Sequence, residues 1–145
     1  MKRHFIAITL LLLAAGCSSG VRVSGTVTYE DDSSPVTHGS VLFSDAVHTY
    51  AAVIRNGRYV TDSKGVLPSA YKITLSDTDK TETSFTDSGL PFVKRTALID
   101  PVYKMTNSSP LSLEVPSGGA LKYDIKVKKP PAGTAETVTG SEDDK

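Results

Sequence analysis

Apolar and polar residues alternate with a period of two along most of the chain, and no long helical stripe interrupts them. From Val21 to Tyr29, the residues Val21, Val23, Val27 and Tyr29 fall on one face, and Arg22, Ser24, Thr26 and Thr28 on the other. That period is the mark of a strand with one buried side. Glu30 to Pro35 is a polar turn. Gly39 to Phe43 predicts a second strand and Tyr50 to Arg55 a third. Asn56-Gly57 follows, a dipeptide that accepts the positive φ of a two-residue hairpin, and Arg58 to Thr61 returns as a fourth. Tyr71, Ile73 and Leu75 alternate with Lys72, Thr74 and Ser76 in a fifth. Leu111, Leu113 and Val115 mark the next, and Ser117-Gly118-Gly119 turns the chain. Leu121, Tyr123, Ile125 and Val127 form the last and most regular strand.

Two stretches break the pattern. Residues 77–96 are polar and contain Gly89-Leu90-Pro91, which predicts a long loop of the kind that carries function or moves. Residues 130–145 open on Pro130-Pro131, hold few apolar side chains and end in an acidic cluster. They predict a disordered tail. About seven short strands without a helix predict an all-β fold: an antiparallel, Ig-like β-sandwich in which two half-apolar sheets bury their faces together.

The N-terminal segment has a different order. Met1-Lys2-Arg3-His4 is a positive head, Phe5 to Leu13 is an apolar run broken only by Thr9, and Ala14-Ala15-Gly16 leads to Cys17. Positive, apolar and small, in that order, is an export signal. The run is too short for a spanning helix, which needs roughly 20 apolar residues. Ala14-Ala15-Gly16-Cys17 resembles the lipobox of bacterial lipoproteins, with Ala14 where Leu is common. The resemblance implies a signal peptide over residues 1–16 and a lipidated Cys17. Residues 17–20 then form a short linker before a domain over 21–129. Acyl chains bury roughly 0.8 kcal/mol per methylene, so two or three of them anchor a protein stably. Ser18, in place of an Asp that would favour retention in the inner membrane, points to the outer membrane of a diderm host. The three residues after Cys17 span about 10 Å at most, which keeps the domain near the membrane.

Composition narrows the chemistry. The chain has 16 basic and 16 acidic residues; without Lys2 and Arg3 the remainder carries 14 against 16, or −2. A nucleic-acid surface would be basic, so no nucleic-acid partner is expected. Cys17 is the only cysteine, which excludes an intramolecular disulfide. Outside the signal segment the histidines are His38 and His48, on separate elements and without ligand spacing. Glu30-Asp31-Asp32 lacks the spaced oxygen ligands of a calcium loop. The one Gly-x-Ser-x-Gly match, Gly16-Cys17-Ser18-Ser19-Gly20, lies across the lipobox-like segment and not between a strand and a helix, where a nucleophile elbow would stand. The expectation is therefore no catalytic residue, no metal ligand and no cofactor. Trp is also absent, so an aromatic contact surface has few candidates. The candidates for contact with a partner or ligand are Tyr50, Phe85, Phe92 and Tyr103; of these Tyr50 is expected in the core, while Phe85 and Phe92 lie in the predicted loop.

Several segments in order carry a second resemblance. Gly25-Thr26-Val27 is followed by Pro35-Val36 and then Gly39-Ser40-Val41-Leu42-Phe43. After these come Ile54-Arg55-Asn56-Gly57-Arg58-Tyr59 and Tyr71-Lys72-Ile73-Thr74-Leu75, and late in the chain Pro101-Val102-Tyr103 precedes Ser109 to Val115. Together they resemble small bacterial lipoproteins that carry a carboxypeptidase-regulatory-like, transthyretin-like sandwich. Ser69-Ala70 departs from the Gly usual before the tyrosine. The resemblance implies a non-enzymatic accessory module held in the cell envelope, structural or binding an envelope protein. The alternative expectation is a surface lipoprotein that binds a small ligand or glycan.

Overall fold

A computed structural model describes residues 20–132 and 136–140. The expected signal peptide and the expected lipidation site, Cys17, lie outside the described residues. The chain is all-β, with eleven strands among the described residues. They are β1 (Arg22–Tyr29), β2 (His38–Ser44), β3 (Thr49–Arg55), β4 (Arg58–Val60), β5 (Ser69–Ser76), β6 (Lys80–Phe85), β7 (Pro91–Thr96), β8 (Ser112–Val115), β9 (Ala120–Lys122), β10 (Ile125–Val127) and β11 (Glu136–Gly140). A 3-10 turn over Pro101–Lys104 precedes β8, capped by the Asp100 carboxylate, which accepts from the Val102 amide.

The main sheet runs β10-β1-β4-β3-β2-β5-β8, with β9 also on β1. It is nearly closed: the Tyr123 hydroxyl, just past β9, donates to the Ser112 carbonyl at the start of β8. The interior is filled by the alternating residues of every strand, among them Val23, Val27, Phe43, Ile54, Ile73 and Ile125, all almost inaccessible. Tyr50, expected inside, packs on this core half-buried, its ring edge-on to Tyr71 at 5.9 Å.

Four expectations need correction. The sheet is mixed rather than antiparallel, because β9 and β10 both run parallel to β1. Period-2 burial fixes which face a residue takes and says nothing of strand direction. The last strand is two strands. Both keep one register against β1, Val23 opposite Leu121 and Val27 opposite Ile125, but they part at Tyr123-Asp124. There the Asp124 carboxylate, in place of a main-chain carbonyl, accepts from the Thr26 amide. The stretch 77–96 is a hairpin, β6 on β7, rather than a loop. Within the expected tail 130–145, residues 136–140 pair with β7 as β11 and complete a three-stranded sheet, β11-β7-β6. None of the described side chains of β6 and β7 is buried, so no alternation was imposed on their sequences.

Candidate functional site: a cleft between β3 and β4

The Asn56-Gly57 turn has φ of 50° and 74°, the paired positive values of a type I′ hairpin. Gly57 also lies against Pro35, where an added Cβ would meet the proline ring at 2.4 Å. This turn joins β3 to β4, yet the two strands pair only at Arg55 and Arg58. Beyond that pair β4 follows β1, with Ser24 opposite Val60 and Thr26 opposite Arg58. β3 follows β2 along all seven of its residues. The strands diverge and leave a cleft of about 790 Å³.

Backbone parity fixes what faces this cleft. The Asn56 amide donates to the Thr37 carbonyl, so even-numbered residues of β3 turn their main-chain groups towards β2. Ala51 and Val53 therefore turn theirs the other way, into the cleft. On β4, the Gly57 carbonyl accepts from Val27 and the Thr61 amide donates to Val23, so odd-numbered residues face β1 and Val60 faces the cleft. Ala51, Val53 and Val60 all line it. Buried Ala52 and Tyr59 form its floor. Val53 and Val60 keep 56 % and 44 % of their surface exposed, large for valines in a sheet.

The β4 wall is held from below. Gly25 sits where an added Cβ would lie 1.9 Å from the Tyr123 carbonyl oxygen, so only glycine lets the chains approach this closely. The same carbonyl accepts a 2.6 Å hydrogen bond from the Tyr59 hydroxyl. Burial, with smaller contributions from Tyr123 and Asp124, pushes the Tyr59 phenol far above its ordinary range, which keeps it a donor. The Asp124 carboxyl is held below the usual carboxylate range by Lys122 and then Thr26.

The cleft's charge is mainly positive. Arg55, Arg58 and Lys122 line it against one carboxylate, Asp62. Asp62 already accepts from the Lys64 and Gly65 amides, and Lys122 is paired with Asp124 at 3.1 Å. Neither arginine has an ion-pair partner among the described residues. Directly opposed like charges destabilise a strand pair, so packing gives no reason for Arg55 opposite Arg58.

The residues singled out from sequence lie elsewhere. Phe85 and Phe92 both sit on the β6–β7 hairpin, but Ser84 pairs with Phe92 and Phe85 with Pro91. The two rings therefore project from opposite faces and form no joint platform. Phe85 is exposed and Phe92 half-buried. Nε2 of His38 lies 3.2 Å from the Asp79 carbonyl oxygen, while His48 stacks on Tyr50 with Asp45 at 3.6 Å. Among the described residues no three His, Cys, Asp or Glu side chains are grouped to hold a metal. Asp31 and Asp32 of the acidic turn hold the Lys129 ammonium at 2.9 and 2.8 Å, and Lys129 also lies over the Tyr29 ring. A second, polar concavity of about 350 Å³ lies where the hairpin meets β5, beside the Lys104–Asp79 ion pair.

The cleft left one trace in the sequence. Ala51-Ala52-Val53-Ile54 is continuously apolar where a half-buried strand should alternate. Arg55 and Arg58 then flank the turn.

Among the described residues no helix is long and apolar enough to cross a membrane. No family model, no curated protein and no solved structure matches the chain.

Proposed function

We propose that this chain is a non-enzymatic protein of the cell envelope, anchored by lipid at Cys17, that works as a protein-interaction module. The observation that carries the reading is the β3–β4 cleft. Main-chain donors and acceptors, exposed valines and guanidinium groups without an ion-pair partner among the described residues suit the binding of a surface, while the cleft's carboxylate, ammonium and phenol, Asp62, Lys122 and Tyr59, are already engaged with other groups of the chain. Arg22 opens β1 only a few residues after Cys17, so an anchored domain would work close to the membrane.

The finer fold belongs to the same proposal. With β3 and β4 joined at one residue pair, the main sheet divides naturally into β4-β1-β9/β10 and β3-β2-β5-β8. Two such layers facing each other across the core make a transthyretin-like sandwich. The alternative reading, a small-ligand or glycan binder, would use Phe85 or Phe92 singly, because the two rings do not share a face.

In-cell cross-linking of the tagged full chain, followed by affinity capture and mass spectrometry, tests the function. Cys17→Ala serves as the unanchored control, and incorporation of labelled palmitate reads the anchor. One dominant envelope protein, lost in the control, is expected together with lipid label on Cys17. A chain that takes up no lipid, or captures nothing above background, overturns the proposal.

A further inference from the structure

An open strand edge is a liability that proteins usually blunt with lysine, proline or a covering element. Two other edges are treated in that way. β6 carries Lys80 and Glu82, paired to each other, and β8 carries Glu114 and is tied to the chain beyond β9 by Tyr123. The cleft edge of β3 is not. Thr49-Tyr50-Ala51-Ala52-Val53-Ile54 has no charge, no proline and no glycine, and no strand lies on it beyond Arg55. It is the one long edge of the main sheet left bare and apolar among the described residues.

We infer that this edge takes an extended segment of a partner protein, added as a strand along β3, with carboxylates on its outward face. The inference rests on the protein-interaction reading above and specifies its site and partner chemistry. Three features select the occupant. The main-chain groups of Ala51 and Val53 alternate donor and acceptor along the edge, a pattern that another extended backbone matches at the same spacing. The floor of Ala52 and Tyr59 accepts small or β-branched side chains on the inward face. Arg55 and Arg58, opposed and without ion-pair partners among the described residues, lie on the outward face, where carboxylates of the incoming strand relieve their repulsion. The partner segment therefore alternates Val or Thr with Glu or Asp.

Synthetic peptides of about eight residues, alternating Val or Thr with Glu, reach along the edge at ~3.3 Å per residue. They are titrated into isotope-labelled full chain in detergent, with Lys-for-Glu peptides as the charge control. Saturable shifts at the amides of Ala51, Val53 and Val60 are expected for the Glu series alone. Val53→Pro removes an N–H that faces the cleft and is not used by the β2 ladder, a position where sheets tolerate proline. It should weaken the Glu peptides about tenfold, the worth of a main-chain hydrogen bond at the strong end, with the melting midpoint nearly unmoved. Val53→Thr keeps the donor and should keep the binding. The double variant Arg55→Glu, Arg58→Glu should exchange the preference from Glu to Lys peptides. Equal binding of both series, shifts confined to other strands, or full affinity in Val53→Pro would overturn the inference. If cross-linking in cells still captures an envelope partner in that event, the interaction reading survives with a different surface. If it captures none, both fall.

Discussion

The main sheet and the β11-β7-β6 sheet are made of strands of similar length and similar β-branched content, but only the first encloses a core. Every strand of the main sheet sends residues inward, and its largest buried side chains include Tyr71, Phe43 and Ile54. The small sheet has no buried described side chain, and its hairpin is held to the body through Asp79, which meets Lys104 and His38. One sheet is stabilised by area removed from water. The other is stabilised by its ladder and by ion pairs that water screens. The hairpin should accordingly open at much lower free energy than the core strands.

Phe43→Ala is the largest expected break in that comparison. It should cost about 3–5 kcal/mol in denaturant unfolding, the range for a fully buried phenylalanine, while Phe92→Ala in the small sheet should cost well under ~1 kcal/mol. Equal losses would mean that the hairpin shares the core. Gly25→Ala comes next, at about 3 kcal/mol or more, because its methyl group would collide with backbone rather than with a movable side chain. The same unfolding experiment reads it. Tyr59→Phe leaves the Tyr123 carbonyl without its donor and should cost about 1 kcal/mol.

A pH series separates the sheets without mutation. Burial holds the hydroxyls of Tyr29, Tyr59, Tyr71, Tyr103 and Tyr123 above the ordinary phenol range, Tyr71 to about 12. All five lie in or beside the main sheet. The unfolded chain releases these protons near its ordinary value of 10.0, while the folded chain still retains them. The unfolded state thus binds fewer protons above that point, and stability falls as pH rises. The stabilisation is complete below pH 10 and is lost towards pH 12. Tyrosinate absorbance should lag in the folded protein and jump when it unfolds; a titration indistinguishable from free tyrosine refutes the burial. The smallest effect is expected from Val93→Pro, in the middle of the small sheet, where Val93 pairs with both Thr83 and Thr139. Hydrogen exchange across β6 and β7 should quicken, while the unfolding midpoint moves by no more than ~0.5 kcal/mol.

The same contrast decides what was legible in the sequence. Val21, Val23, Val27 and Tyr29 share a face because a core demands it, and the period announces as much. Asn56-Gly57 is legible because few other dipeptides adopt that turn without strain. β6 is legible in neither way: Lys80-Thr81-Glu82-Thr83 is polar on both faces, and hairpin pairing alone orders it. Parallel pairing of β1 with β9 and β10 joins residues 98 positions apart, as in Arg22 with Ala120, and local periodicity carries no trace of it. The candidate site was missed for a related reason. Phe85 and Phe92 stand out as residue types, whereas the cleft arises from where two strands part company, a property of pairing. Only the unbroken apolar run from Ala51 to Ile54 pointed towards it.

The parallel pairing of β1 with β9 and β10 also sets how the molecule bears force. A pull from the N-terminal end of β1 against the C-terminal end of β10 acts along both strands in opposite directions. It loads the whole ladder in shear, so its hydrogen bonds must fail together rather than unzip singly. The β4–β1 ladder adds resistance on the other side. The β6–β7 hairpin pairs with neither β1 nor β10 and so carries none of the load on that ladder.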